Sequence, residues 1–362
     1  MNFQDIIPGH IRAIQPYKPG KPIEEVERSL GVKAIKLASN ENPWGPSPKA
    51  LNAVRKHLEA GNRYPEDTAF YLRTRLAEHY KVDVDEIIIG AGSSEILGMV
   101  FHALINHEDE VLTSEGSFVL YYWFAQIQAA NLVALPLRDY GFDLAAMGEN
   151  LSSKTRLVLL ANPNNPTGKI IKRTDLDKFM KMVPDEALVI FDEAYVEYVQ
   201  DPDFPDSIEY LNEGRSVLIL RTFSKAYGLA GFRVGYGLGC PQLIEILNKV
   251  RPPFNAPSLA QVGALAAFDD EGHVSKCVKE NGVERDFLAS ELEKRAIMNI
   301  PSEANFILLD LGLPAEEAFG RLMQMGVIVR PMHGAGFPTM IRVSVGTHEE
   351  NKLFLKALDQ IR

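Results

Sequence analysis

RTFSKAYGLAGFRVG, residues 221–235, follows the short apolar run Val217–Leu220, and the two together decide the fold. A short continuous apolar run that ends in a polar turn reads as a fully buried strand. Lys225 then sits in a Ser-Lys-Ala-Tyr-Gly turn, where small residues let the backbone bend sharply. Further on, Arg233 brings a fixed positive charge and a planar fork of donors back to the same neighbourhood. A lysine amine in a crowded, partly dry turn beside another cation loses proton affinity and becomes nucleophilic towards aldehydes near neutral pH. Ser224 and Arg233 together make a phosphate clamp. One ligand with both an aldehyde and a phosphate would satisfy all three groups. The plain alternative is a solvated loop lysine, and the rest of the chain decides between them.

Working outward, similar short apolar runs occur at Ile87–Ile89, Val111–Thr113, Leu132–Leu135, Leu157–Leu160, Leu188–Phe191 and Val234–Leu238, most of them separated by helical patterns. Such alternation predicts an open α/β architecture with a mostly parallel sheet flanked by helices. Ligands of such sheets bind beyond the carboxyl ends of the strands, so the residues after each run carry the information. Gly90-Ala-Gly-Ser-Ser-Glu95 offers free backbone amides at a helix start, good for a phosphate. ANPNNPTG spans residues 161–168, and DEAY spans 192–195. Asp192 ends a strand that should be buried, where an unpaired carboxylate is costly. A pyridinium N–H is a suitable partner, and a helix cap or a structural ion pair stays open as an alternative. Asn162 and Tyr195 could hold a phenolic ring oxygen from two sides, although Asn162 alone also suits a turn. Arg342, within IRVSVGT in a short apolar strand, needs an anion or a carboxylate.

The remaining segments set the frame. The chain has 362 residues, 46% hydrophobic and 24% charged, an ordinary globular composition with room for a large and a smaller domain. Its net charge of −10 argues against a nucleic-acid partner. Cys240 and Cys277 give no disulfide framework and suit a reducing compartment. The start lacks signal-peptide features and no apolar run is long enough for a membrane span, so a soluble, cytoplasmic protein is expected. The first forty residues, with Pro8, Pro16, Pro19 and Pro22, read as an extended arm holding a short helix near Ile23–Leu30. Ser47 and Pro48 form a helix start, and Thr347 with Glu350 forms a capping box for the last helix. Helices at Ala256–Phe268 and His273–Arg295, then short strands near Phe306–Leu309, Val327–Arg330 and Ile341–Val345, suggest a smaller α+β domain. The predicted division is an arm over 1–40, a large domain over 41–250 and a small domain over 251–362.

ANPNNPTG, DEAY, SKAYGLAGFRVGY and IRVSVGT, in this order and spacing, resemble the pyridoxal-phosphate aminotransferases of fold type I, classes I and II. YKPGKPIEEVERSLG, ASNENPWGPSP, RYPE, RPPFN and VGTHEEN resemble the histidinol-phosphate branch of that family. The resemblance runs from about Tyr17 to the end. It implies a seven-stranded, mostly parallel sheet in the large domain and pyridoxal 5'-phosphate as cofactor. The implied activity moves an amino group between L-histidinol phosphate and 2-oxoglutarate, giving imidazole acetol phosphate and glutamate. By the same resemblance Lys225 would link to the cofactor aldehyde and shuttle the proton. Asp192 would pair with the ring nitrogen, Asn162 and Tyr195 would hold the ring oxygen, and Tyr121 would stack on the ring. Ser224, Arg233 and the amides of Gly92, Ser93 and Ser94 would bind the cofactor phosphate. Tyr64 would reach the cofactor of a second subunit, which implies a homodimer with shared sites. Tyr17, Asn42, Arg330 and Arg342 would receive the substrate. Trp44, Gly116-Ser117 and Met332–Gly336 depart from the family pattern and bear on substrate choice.

Other readings compete. An aromatic aminotransferase or a phosphothreonine decarboxylase would keep the cofactor and change the substrate. A cofactor-binding regulator would need a DNA-binding extension. A dehydrogenase would need a third glycine after Gly90-Ala-Gly92 or Gly237-Leu-Gly239. The histidines show no metal-ligand spacing, and no metal is expected.

Overall fold

The computed structural model describes residues 2–3, 6–16 and 20–361. Its strands, in chain order, are β1 (Ile35–Lys36), β2 (Ile87–Gly90), β3 (Glu110–Ser114), β4 (Asn131–Leu135), β5 (Thr155–Ala161) and β6 (Leu188–Asp192), followed by β7 (Val217–Thr222), β8 (Gly235–Gly239), β9 (Phe306–Asp310), β10 (Val327–Ile328), β11 (Arg330–Pro331) and β12 (Met340–Ser344). Seven of them form one sheet in the order β2-β8-β7-β6-β5-β3-β4. All the pairings are parallel except those of β8, which runs antiparallel to both β2 and β7. The two reversals leave β2 pointing the same way as β7, so the carboxyl ends of β2, β3, β5, β6 and β7 share one edge. The start of β8 meets that same edge.

The strands read as continuous apolar runs because both faces of the sheet are covered. Val158, Leu160, Val189, Phe191 and Ile219 face one core cluster, while Leu157, Leu159, Ile190, Leu218 and Leu220 face the other. The first cluster includes Ala260, Ala264 and Ala267 of helix Ser258–Phe268, which packs beside helix Pro48–His57. The sequence reading places that helix in the smaller domain; its small-residue face instead belongs to the core under the seven-stranded sheet. Ser47 caps helix Pro48–His57 by accepting from Lys49 N and Ala50 N at 3.0 and 3.3 Å.

A second, antiparallel sheet has the order β11-β12-β9, and its apolar face meets helices Glu271–Lys294 and His348–Ile361 through Leu288, Leu292, Val343, Phe354 and Leu358. The expected single strand over 327–330 is split: β10 pairs with β1, whereas β11 pairs with β12. Beyond β1 the chain runs between this part and the large sheet. Leu37 N donates to Ile328 O and Leu37 O accepts from Ser344 N, both at 2.8 Å. The arm before it holds a short helix, Gly9–Arg12, as well as Ile23–Leu30. Among the described residues no helix is long and apolar enough to cross a membrane.

Gly228 closes the turn after Lys225 with φ +69°, and a Cβ there would lie 2.5 Å from Gly45 O. Gly228→Ala therefore meets both strain and backbone contact, and a loss of about 2–4 kcal/mol in chemical denaturation is expected. Gly312→Ala, with φ +67° but open space around it, is expected to cost only about 1 kcal/mol.

Candidate active site

The shared edge of the sheet positions the site. In register, Ala161 sits beside Asp192 and Asp192 beside Leu220, so the turns after β5, β6 and β7 emerge side by side. Asp192 is buried, and Tyr121 OH donates to its Oδ2 at 2.9 Å. Its Oδ1 is buried without a hydrogen-bond partner among the described residues. Burial pushes the Asp192 carboxyl up to about 6 against the opposing pull of the Tyr121 hydrogen bond.

Lys225 stands above this carboxylate, in a turn closed by Gly228 N donating to Lys225 O at 2.9 Å. Its Nζ donates to Ser39 O at 3.1 Å and lies 5.7 Å from the centroid of the Tyr195 ring. Desolvation, and then the charge of Arg342, lower its pKa to about 8. Tyr195 OH accepts from Asn40 Nδ2 at 2.9 Å, and its ring rests edge-on against Phe306.

At the other end, Arg233 Nη1 donates to Ser224 Oγ at 3.2 Å, and Thr222 Oγ1 donates to Ser224 Oγ at 3.0 Å. Arg233 holds φ +55°, a costly conformation that turns its guanidinium under Gly92. A Cβ on Gly92, at φ +82°, would lie 2.3 Å from Arg233 Nη2, so only glycine lets the two meet. Ser93 and Ser94 then begin helix Ser93–Leu104 with their amides at its N-terminus.

The small sheet closes the site from above. Arg330 and Arg342 are cross-strand partners, both lining the cavity. Like charges placed opposite one another are unfavourable unless an anion lies between them. Arg342 Nη2 donates to Ala38 O at 2.8 Å, and its Nη1 donates to Asn165 Oδ1. The resulting cavity has a volume of about 270 Å³ and borders Lys225, Asp192, Tyr195, Ser224, Arg233 and the two arginines. A second cavity of about 470 Å³ adjoins it through Phe118, Asn165, Arg330 and Arg342 and opens past Trp123, Glu316 and His333.

Three sequence assignments need correction. Asn162 does not face the cavity: its side chain is bound to the backbone of Ile171, accepting from Ile171 N at 2.8 Å and donating to Ile171 O at 3.4 Å. Asn165, later in the same turn, lines the cavity in its place. Tyr121 is fully buried beneath Asp192 and cannot stack on a ligand, whereas Phe118 lines the cavity. Phe118 directly follows Gly116-Ser117, the pair at which the chain departs from the family pattern. Asn42 is turned into the backbone, donating to Ala226 O and accepting from Trp44 N, each at 2.9 Å. Thr222, Asn40 and Glu41 line the cavity and were not singled out from sequence. Tyr64 is exposed on the surface, stacked on Phe254 at 4.7 Å. Tyr17 lies outside the described residues.

The set fits pyridoxal phosphate. The orphaned Asp192 Oδ1 wants an N–H donor, the Ser224–Arg233 cradle wants a phosphate, and a lysine of lowered proton affinity wants a carbonyl carbon.

The chain matches the family model for aminotransferase class I and II over residues 32–358. It is 46% identical over 353 residues to the histidinol-phosphate aminotransferase of Moorella thermoacetica, covering 97% of this chain and 92% of that one. With the histidinol-phosphate aminotransferase of Caldicellulosiruptor saccharolyticus it shares 41% over 352 residues, covering 97% and 98%. The crystal structure of histidinol-phosphate aminotransferase from Sinorhizobium meliloti in complex with pyridoxal-5'-phosphate superposes with a TM-score of 0.89 at 27% identity, covering 99% of this chain and 98% of that one. With the lysine turn, the buried aspartate and the phosphate cradle at one sheet edge, the chain belongs to the class I and II aminotransferases.

Proposed function

We propose that this protein is a histidinol-phosphate aminotransferase, moving an amino group between L-histidinol phosphate and 2-oxoglutarate with pyridoxal phosphate as cofactor. The observation that carries an anionic substrate is the opposed pair Arg330 and Arg342 at the wall beside Lys225. The choice of donor is supported by relatives of that name at 46% and 41% identity over nearly the whole chain.

Pyridoxal phosphate, when bound, supplies an aldehyde carbon for amine exchange and an electron-withdrawing pyridine ring. The protein's own groups do the rest. Asp192 Oδ1 would hold the ring N–H, while Tyr121 fixes the other carboxylate oxygen and so the plane of the carboxylate. Ser224, Thr222, Arg233 and the amides of Ser93 and Ser94 would hold the phosphate, Phe118 would cover the ring, and Tyr195 and Asn165 would serve its oxygen. Lys225 Nζ, easily freed of its proton near neutral pH, would hold the cofactor at its carbonyl carbon and is the group placed to move a proton at the donor's Cα. Arg330 and Arg342 take the phosphate of the donor and then a carboxylate of the acceptor, since a guanidinium fork accepts either.

A homodimer is read from the exposed aromatic cluster Tyr64, Phe70, Tyr71 and Phe254, which lie 82, 53, 72 and 43% open in the single chain. Tyr64 would reach the partner's phosphate site from this cluster. A cytoplasmic setting is read from the two unpaired cysteines.

The direct test is an assay of purified protein with L-histidinol phosphate and 2-oxoglutarate, following glutamate. Stoichiometric glutamate is expected; Lys225→Ala is expected to abolish it, and Arg342→Leu to lower kcat/KM by at least about 10²-fold. Turnover of phenylalanine or tyrosine but not of histidinol phosphate would instead identify an aromatic aminotransferase.

The lysine makes a separate prediction in the cofactor-free protein. Its folded pKa, about 8, lies below the ordinary lysine value, so the buried charge destabilises the fold most below pH 8. As pH rises above 8 the folded state sheds this proton before the unfolded state does, and wild-type stability climbs. Lys225→Met should therefore be more stable than wild type by about 1–3 kcal/mol at pH 7, with the gap closing from pH 8 to 10. Urea melts across that range measure it.

Sedimentation of wild type as a dimer is expected, and Phe254→Asp, which puts a charge in the aromatic cluster, should shift it to monomer.

A further inference from the structure

The cavity beside Lys225 is lined by the cationic Lys225, Arg233, Arg330 and Arg342 and, among the described residues, by only two carboxylates, Asp192 and Glu41. Asp192 lies at the buried floor. Glu41 stands at the wall with its side chain 45% exposed. Its Oε1 accepts from Lys36 Nζ at 2.9 Å, and the described contacts leave Oε2 without a partner. The residues on either side are tied down, which fixes the stretch of chain from which this carboxylate projects. Asn40 N donates to Ser344 Oγ at 2.8 Å, Asn305 Nδ2 to Asn40 O at 3.0 Å, and Asn42 Nδ2 to Ala226 O at 2.9 Å. Across the cavity, the charge of Glu41 favours the protonated form of Lys225 and so opposes Arg342 and Arg233.

The two proposed substrates enter this cavity in turn, and the arginines attract the anionic groups of both. They differ in the opposite sign. The donor carries nitrogen groups that bear N–H and positive charge, whereas the acceptor carries two carboxylates and no cation. A wall carboxylate separates them, drawing the first and repelling the second.

We infer that Glu41 is a specificity-determining residue, whose free oxygen receives an N–H of the nitrogen-bearing end of the donor and whose charge disfavours dicarboxylates. This rests on the donor and acceptor proposed above. It gives the site one element that tells its two substrates apart, where a site of arginines alone would hold the acceptor too well.

The test uses holoenzyme and Glu41→Gln, which keeps the shape and removes the charge. The KM for L-histidinol phosphate should rise about fivefold, while the inhibition constant of glutarate, an inert dicarboxylate, should fall by about the same factor. Glu41→Asp, which keeps the charge, should stay close to wild type in the glutarate constant. A merely packing role would weaken both ligands together, so constants that move in the same direction, or not at all, overturn the inference. If wild type refuses histidinol phosphate and transaminates phenylalanine, the donor assignment has failed and glutarate competition decides alone. A lower glutarate constant in Glu41→Gln then upholds discrimination by charge, and an unchanged one overturns it.

Discussion

The site depends on one strand of backbone, Leu37 to Asn42, which belongs to neither sheet. Lys225 Nζ and Arg342 Nη2 both donate to it, at Ser39 O and Ala38 O. Asn40, in the left-handed region at φ +53°, joins Tyr195 from one side to Ser344 and Asn305 from the other. A segment that satisfies polar groups from both sheets at once fixes the distance between the lysine and the arginines. Backbone carbonyls suit this task, because they meet buried cations with partial charge and without the desolvation cost of another carboxylate.

Behind the site, charge is handled differently. Glu193 follows Asp192 but points to the opposite face of the sheet, where Arg221 donates to its Oε2 from Nε at 2.9 Å and from Nη2 at 2.8 Å. Arg221 also donates to Tyr80 OH at 2.9 Å, and Tyr80 OH lies 2.7 Å from Tyr236 OH. Strand alternation thus separates two adjacent acids, one left with a free oxygen towards the cavity and one fully paired in the core. The paired acid ties β6 and β7 to helix Phe70–Tyr80, and only the other is available for chemistry.

This division explains what could be read in the sequence. The sheet was legible because its strands are apolar on both faces, and the site edge because strand ends in such sheets are predictable. The motif positions failed where the answer depends on which way a turn residue faces. Asn162 and Asn165 are the same residue type in one turn, yet one binds Ile171 and the other the cavity. Tyr121 and Phe118 lie on successive turns of chain entering one helix, and a one-turn slip exchanges floor for wall. Helix Ser258–Phe268 is apolar nearly all round, so its pattern does not say which core it joins. Asn40 was invisible for another reason: its partners Ser344 and Asn305 lie hundreds of residues away, and no local spacing encodes them.

The antiparallel strand β8 has a mechanical consequence. Because β7 and β8 form a hairpin in register, with Thr222 opposite Gly235, the lysine, the serine and the arginine of the site are carried by one continuous loop. The span between Lys225 and Arg233 is then set by the length of that loop and not by how distant parts of the fold settle against each other. The hairpin acts as a ruler. Inserting or deleting a single residue between Ser224 and Arg233 would change its graduation while leaving every strand of the sheet intact.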